Sequence, residues 1–242
     1  PHSPTSSGGG GSRPARLKPV VLDLEAVRSS YNAAQSVFDL GGVHAYLNRQ
    51  RGLPPALLAQ ERFRGRVAID GRGNALFPHY GQDKQLVGFE IKNDGFTGYS
   101  PGGQKGLWIT PGTEQDRRLV IAETAIDSLS YCQIFDDGHA RYASIAGQMN
   151  PHQPGLLHRA IRAMPPAPGS EPSEIVLAVD HDDGGQTIAS YIEPVFESVA
   201  NGGRGDLTLR IHHPPTPGRD WNDELRQERS ADHQNDPQPG PA

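Results

Sequence analysis

Leu119-Val120-Ile121-Ala122-Glu123 and Glu174-Ile175-Val176-Leu177-Ala178-Val179-Asp180-His181-Asp182-Asp183-Gly184-Gly185 decide the reading of this chain. Each is a short apolar run that ends in acid. Such runs, without polar interruption, fit strands covered on both faces, as in parallel sheets. Open α/β sheets place their active sites beyond the carboxyl ends of those strands. Carboxylates gathered there repel one another and lose hydration, so a bound cation is the simplest way to keep them charged together. The two segments therefore predict a divalent-cation site that handles phosphates.

The surrounding pattern agrees. Strands over 118–122, 141–146, 174–179 and 206–211 alternate with helices over 124–135, 154–163 and 184–200. Ile188, Tyr191, Ile192, Val195, Phe196 and Val199 recur at helical spacing and give the last of these helices one buried face. Strand–helix alternation implies right-handed crossovers and an α/β fold with a mainly parallel sheet flanked by helices. Upstream, residues 23–50 read as helical with a break at Gly41-Gly42, and Leu57 to Gln60 adds a further helical turn. Strands follow at Val67–Ile69, Ala75–Pro78, Leu86–Ile91 and Leu107–Ile109, separated by Gly- and Asp-bearing turns. The expected organisation is a flexible linker over 1–17, a small α+β region over 18–112, a catalytic α/β domain over 113–229 and a disordered tail over 230–242.

Composition narrows the class. The single cysteine, Cys132, excludes a disulfide framework or a multi-cysteine zinc module and reads as a buried helical thiol. No apolar stretch approaches the roughly 20 residues that cross a bilayer, so the expectation is a soluble cytoplasmic protein without membrane insertion. A net charge of -5 argues against broad polyanion binding but leaves room for basic residues placed away from the acids.

Asp180 and Asp182 stand two residues apart where a strand enters a loop, so continued extended geometry would aim both the same way. Mg²⁺ favours such carboxylate oxygens. Glu123, ending another strand, is the candidate for acid/base work beside the metal and for coordination. Gly184 and Gly185 would let a phosphate approach the backbone. The rival reading makes Asp182 or Asp183 a helix cap and Glu123 a solvated strand end. Acidic strand ends alone also leave other classes open, response-regulator-like phosphotransfer among them.

Three segments carry a resemblance to a known family. Ala122-Glu123-Thr124-Ala125-Ile126-Asp127, the Asp180-x-Asp182-x-x-Gly185 pattern and Gly218-Arg219-Asp220-Trp221-Asn222-Asp223-Glu224-Leu225 together resemble the Toprim domains of primases, topoisomerases and related nucleases. The resemblance spans about residues 117–227. It implies phosphodiester formation or cleavage, with Glu123 in acid/base work, Asp180 and Asp182 on Mg²⁺ (or Mn²⁺ in its place), and Asp220 or Asp223 at the edge. Thr124 and Gln148 depart from the small residues that primases carry at those places. Asp127 would either support the site or stabilise the start of a helix.

Tyr46-Leu47-Asn48-Arg49-Gln50-Arg51-Gly52-Leu53, Phe77-Pro78, Leu86 to Lys92 and Gly102 to Trp108 are similar to the companion segment that precedes Toprim domains in plasmid and mobile-element proteins. That extends the likeness to about 43–227. Lys105, in its Gly-rich loop, corresponds to a lysine that precedes the primase catalytic core, and Lys92 and Lys105 could each set a positive charge beside phosphate oxygens. Arg62, Arg64 and Arg66 would share one face if extended, tracking a phosphate backbone or forming a solvated edge. Trp108 and Trp221 read as core residues before base-stacking ones, and His181, His212 and His213 as loop residues before ligands.

The resulting expectation is Mg²⁺-dependent nucleotidyl or phosphoryl transfer on nucleic acid, primase-like, in plasmid or mobile-element replication or conjugative transfer. Single-stranded DNA, nucleotides, and relaxase or replication proteins would be the partners. A Toprim DNA nuclease and a noncatalytic DNA- or relaxase-binding module are the rivals.

Overall fold

The computed structural model describes residues 21–135, 138–166 and 172–235. Helix α1 (Leu24–Asn32) starts at Asp23, whose carboxylate accepts the Ala26 N–H at 3.0 Å. It stops well short of residue 50, where the sequence pattern had carried helix. Instead β1 (Gln35–Ser36) pairs antiparallel with β2 (Ala68–Ile69). Gly42 is glycine because a Cβ there would sit 2.0 Å from the Pro55 carbonyl oxygen. A π-helical turn (Tyr46–Gln50), α2 (Pro55–Leu58) and a 3₁₀ turn (Glu61–Phe63) follow.

Strands β3 (Ala75–Tyr80), β4 (Leu86–Asn93) and β5 (Phe96–Tyr99) complete an antiparallel sheet in the order β1-β2-β3-β4-β5. Pro78 is tolerated inside β3 because β2 pairs only with Ala75 and Leu76, leaving the proline's other side free of a ladder. The sequence reading passed over β5, an edge strand whose first two residues are exposed.

The second sheet uses β6 (Trp108–Ile109), β7 (Arg118–Ala122), β8 (Ala140–Ser144), β9 (Ser173–Ala178) and β10 (Leu207–His212). Helices α3 (Ala125–Phe135), α4 (Gln153–Arg162) and α5 (Asp183–Asn201) connect the parallel strands, and α6 (Trp221–Asn235) is the last element among the described residues. The order is β10-β9-β7-β8-β6, parallel except for β6, which runs antiparallel to β8 at the edge. The mainly parallel sheet flanked by helices is thus present, preceded by an antiparallel one. The strand at Leu107–Ile109, assigned from sequence to the upstream region, belongs to the second sheet and touches the first through a Tyr80–Leu107 bridge.

Alternation along β7 builds two cores. Leu119 and Ile121 pack with Leu157 and Ile161 of α4 and Ile188, Ile192 and Val199 of α5. Val120 and Ala122 pack with Leu129 and Cys132 of α3 and Trp221 and Leu225 of α6. That second core runs without a break into the upstream region through Trp108, Phe63, Leu53 and Leu47. Phe63 and Trp108 stack at 6.3 Å, and the buried indole N–H donates to the Arg66 carbonyl at 2.7 Å. Tyr191, expected on the buried stripe of α5, is exposed instead.

The arginine trio is not extended. Arg62 donates to the Gly138 and Ala140 carbonyls, Arg64 pairs with Glu61, and Arg66 donates to the Tyr80 hydroxyl. Residues 230–235, placed in a disordered tail, continue α6, while the expected linker at 1–17 lies outside the described residues. Among the described residues no helix is long and apolar enough to cross a membrane.

Candidate active site at the sheet switch point

From β7 the chain crosses to β8 on one side, while β9 lies on the other, so the switch point, where open α/β sheets form their ligand crevice, falls between the carboxyl ends of β7 and β9. Their last residues are in register, Ala122 beside Ala178. Glu123 leaves the first and Asp180 lies just past the second. The Asp180 N–H donates to Glu123 Oε1 at 3.3 Å, so the two predicted acids meet.

Three further carboxyls join them. Asp127, one turn into α3, is buried and accepts the Thr124 hydroxyl at 2.6 Å. Asp220 caps α6, accepting the Asp223 N–H at 2.6 Å. Asp182 caps α5, accepting the Gly185 N–H at 2.8 Å. β9 ends at Ala178, before both acids, and Asp182 is exposed while Asp180 is half-buried. Gly185 serves the chain before any ligand, because a Cβ there would lie 2.1 Å from the Asp180 carbonyl oxygen.

The acids strain against one another. Burial first, then the fields of Asp127, Glu123, Asp220 and Asp182, push Asp180 up to about 8. Burial and Asp220 push Asp127 up to about 7, with Glu123 adding and both the Thr124 hydroxyl and Lys92 opposing. Glu123 is raised by burial, despite its bond from the Asp180 N–H, and Asp182 and Asp220 add to the rise. Asp220 is raised by burial too, with Arg51 pulling it down.

The lysines reach this crevice from outside the parallel sheet. Lys92, on β4, lies near enough to pull Asp127 down. Lys105 donates to the Ala146 and Gln148 carbonyls at 2.9 and 3.1 Å, holding the turn whose Gly147 N–H bonds the Glu123 carbonyl. In this arrangement Lys105 shapes the wall beside Glu123. His181 and His213 stack on each other and turn their Nδ1 atoms to the Pro214 and Asp180 carbonyls, and His212 packs on Trp221. Both tryptophans are core residues.

The residues fit a hard divalent cation in chemistry. Asp180 Oδ1 is buried and has no hydrogen-bond partner. A carboxyl oxygen left alone among four other acids is what a cation would satisfy. A preformed cage is not present: among the described residues no three His, Cys, Asp or Glu side chains come together closely enough to hold a metal ion. Mg²⁺ commonly takes one or two carboxylates and keeps several waters, so the two observations are compatible.

A family model described as Toprim-like matches residues 120–225. The chain carries a Toprim-like domain. A second model, described as a protein of unknown function (DUF3991), matches residues 45–116 immediately before it. No curated protein matches the chain. A DnaG primase catalytic domain bound to single-stranded DNA is similar in structure, with 15% identity, a TM-score of 0.52, and coverage of 87% of this chain and 76% of that one. The primase fragment of the bacteriophage T7 primase-helicase gives 16% identity and a TM-score of 0.44 over 92% and 82% of the two chains. The Aquifex aeolicus primase, with its zinc-binding and RNA polymerase domains, gives 12% and 0.45 over 87% of this chain. The present chain spans 57% of that Aquifex primase.

The chain thus has a fold similar to that of a DnaG primase catalytic domain, and Glu123 meets the Asp180 backbone at the switch point. Asp127 is more central than sequence reasoning made it. The four-residue step from Glu123, one helical turn, was the available signal. Arg51 bears on Asp220, and nothing in the sequence beyond its place in the companion segment singles it out. Its contact depends on Asn222, which reaches from α6 to the Arg51 carbonyl at 2.7 Å, 171 residues away in sequence.

Proposed function

We propose that this chain catalyses Mg²⁺-dependent nucleotidyl transfer on nucleic acid, in the manner of a primase. The observation that carries the reading is the meeting of Glu123 and Asp180 at the switch point, with a buried, unpartnered Asp180 oxygen facing further acids. Asp180 would hold Mg²⁺, or Mn²⁺ in its place, directly, and Glu123, Asp182 and Asp220 would reach it through the waters it keeps. The ion would supply positive charge against the transferred phosphoryl oxygens. Glu123 is the proton acceptor for an attacking hydroxyl: burial raises its proton affinity, and the Asp180 N–H fixes its orientation. Lys92 contributes cationic charge to the nucleotide phosphates. Lys105 holds the 146–148 turn against Glu123 and stands beside the same phosphates.

Single-stranded DNA as template and nucleoside triphosphates as substrates follow from this reading and are supported by the primase fold. A role in plasmid or mobile-element replication or conjugative transfer, in the cytoplasm and beside relaxase or replication proteins, extends it. That extension is supported by the resemblance of the segment before the Toprim-like domain.

The test is one reaction containing single-stranded DNA, labelled nucleotides and Mg²⁺, resolved on a sequencing gel. Template-dependent labelled products that vanish in Asp180→Asn support the proposal. Mg²⁺-dependent shortening of the DNA without incorporation would replace it with a nuclease. DNA binding that ignores Mg²⁺ in a chain inactive both ways would replace it with a binding module.

A further inference from the structure

The antiparallel sheet holds a buried chain of charges that strand pairing does not require. Lys92 Nζ lies 3.5 Å from Glu90 Oε2, and the two side chains are only 12% and 5% exposed. Glu90 Oε1 lies 3.3 Å from Nε2 of His79, which is fully buried. His79 Nδ1 lies 2.9 Å from the Gly106 carbonyl oxygen. A carbonyl oxygen only accepts, so Nδ1 carries a proton. Burial pushes Glu90 up, but His79 and Lys92 outweigh it and leave the carboxyl below its usual range. The ring is clamped between the Gly106 carbonyl and the Glu90 carboxyl.

Sheet geometry builds this chain. Glu90 and Lys92 are two residues apart on β4 and share a face, while His79 stands diagonally across on β3, opposite Gly88. Gly88 admits the covering loop: a Cβ there would lie 2.5 Å from the Tyr99 hydroxyl and 2.7 Å from the Gln104 carbonyl oxygen. That loop delivers the Gly106 carbonyl. Burying such charges costs desolvation that apolar residues would avoid, so a role beyond stability is the economical explanation. Lys92, at the end of this chain, is close enough to the acids for its charge to lower Asp127.

We propose that His79 and Glu90 are positioning residues that hold Lys92 as a fixed cation for the phosphates of an incoming nucleotide, so that the upstream sheet completes the Toprim site. This rests on the phosphate-transfer reading above. Glu90 limits the swing of the lysine stem, and His79 keeps Glu90 ionised and aimed. A lysine on a free stem would lose more side-chain entropy on meeting phosphate than one already held.

The test is a double-mutant cycle on the full chain, read as binding of fluorescently labelled ATP with Mg²⁺ by anisotropy. Lys92→Ala is expected to weaken binding about tenfold, and Glu90→Gln by a similar factor. The double variant should bind no worse than Lys92→Ala. Mn²⁺ affinity of the acids, read by electron paramagnetic resonance, should stay within about twofold of wild type in Glu90→Gln. His79→Gln, which leaves Glu90 in place, supplies the same comparison should Glu90→Gln fail to fold. Losses that multiply in the double variant, or wild-type binding in Glu90→Gln or in Lys92→Ala, overturn the positioning role alone. A wild-type chain that binds no labelled ATP with Mg²⁺ overturns the phosphate-transfer reading and this inference with it.

Discussion

Asp180 carries a buried, unpartnered oxygen among four other carboxyls, and Asp180→Asn removes its charge while keeping its size. In the unfolded chain this carboxyl ionises near its ordinary value of 3.8, whereas in the folded protein it holds its proton up to about 8. Below the lower value both states are neutral and folding carries no penalty. As pH rises through the window between the two, the unfolded state gives up its proton and the folded state keeps it. Stability therefore falls with pH until about 8 and then levels. At pH 7.5 the full interval corresponds to a ceiling of about 5 kcal/mol. Asp180 is only half-buried, so solvent screening brings the expected gain in Asp180→Asn down to about 1–2 kcal/mol. For a domain of this size that is a rise of about 2–8 °C in Tm.

The assay is thermal or urea unfolding of both proteins in EDTA at pH 4 and pH 7.5, then in saturating Mg²⁺. The variant should be the more stable at pH 7.5 and should converge on wild type at pH 4. Mg²⁺ should close the gap, because a ligand that binds the folded state adds stability in proportion to its affinity and the variant binds it poorly. A variant no more stable than wild type in EDTA at pH 7.5, or a gap that persists unchanged at pH 4, would refute the account of Asp180 as a destabilised, cation-seeking acid.

Two further substitutions test the frame around the site. Gly185→Ala puts a methyl 2.1 Å from the Asp180 carbonyl oxygen, and the β9–α5 turn must open, costing about 1–3 kcal/mol in urea unfolding and weakening Mg²⁺-dependent activity. Trp108→Ala should cost about 3–5 kcal/mol. Because Trp108 belongs to the core shared by both sheets, wild type and variant should each unfold in one transition by circular dichroism. Two separate transitions in wild type would show that the sheets are energetically independent.

What could be read in advance was whatever local pattern determines. Residues 119–122 and 175–178 are apolar throughout because both faces of β7 and β9 are covered there, and that is visible residue by residue. The acids at their ends were legible for the same reason. Features set by distant pairing were not. Trp108-Ile109 is only two residues long, and its partner, β8, lies beyond both β7 and α3, so nothing local assigns it to the second sheet. Asp180-x-Asp182 suggested two acids in equal roles, but the helix start uses Asp182 Oδ1 as its cap and leaves Oδ2 for other partners. His79 and Glu90 carried no signal at all, since their contact depends on the register of β3 against β4 and on a loop passing over Gly88.

These distant pairings argue that the boundary between the two family models, between residues 116 and 120, divides sequence rather than structure. Strand β6 crosses it to extend the parallel sheet, and Trp108 crosses it to fill the core beside Phe63 and Tyr142. Returning the other way, Asn222 of α6 bonds the Arg51 carbonyl and the Ser130 hydroxyl, tying the last helix to both parts. A fragment starting at residue 117 would retain all five acids of the crevice, yet lose Lys92, which lowers Asp127, and Arg51, which lowers Asp220. Those acids would then repel one another with less opposing charge and an uncovered core face beneath them. The upstream sheet is therefore part of the electrostatics of the site, and its buried His79–Glu90–Lys92 chain is where that dependence is most exposed to mutation.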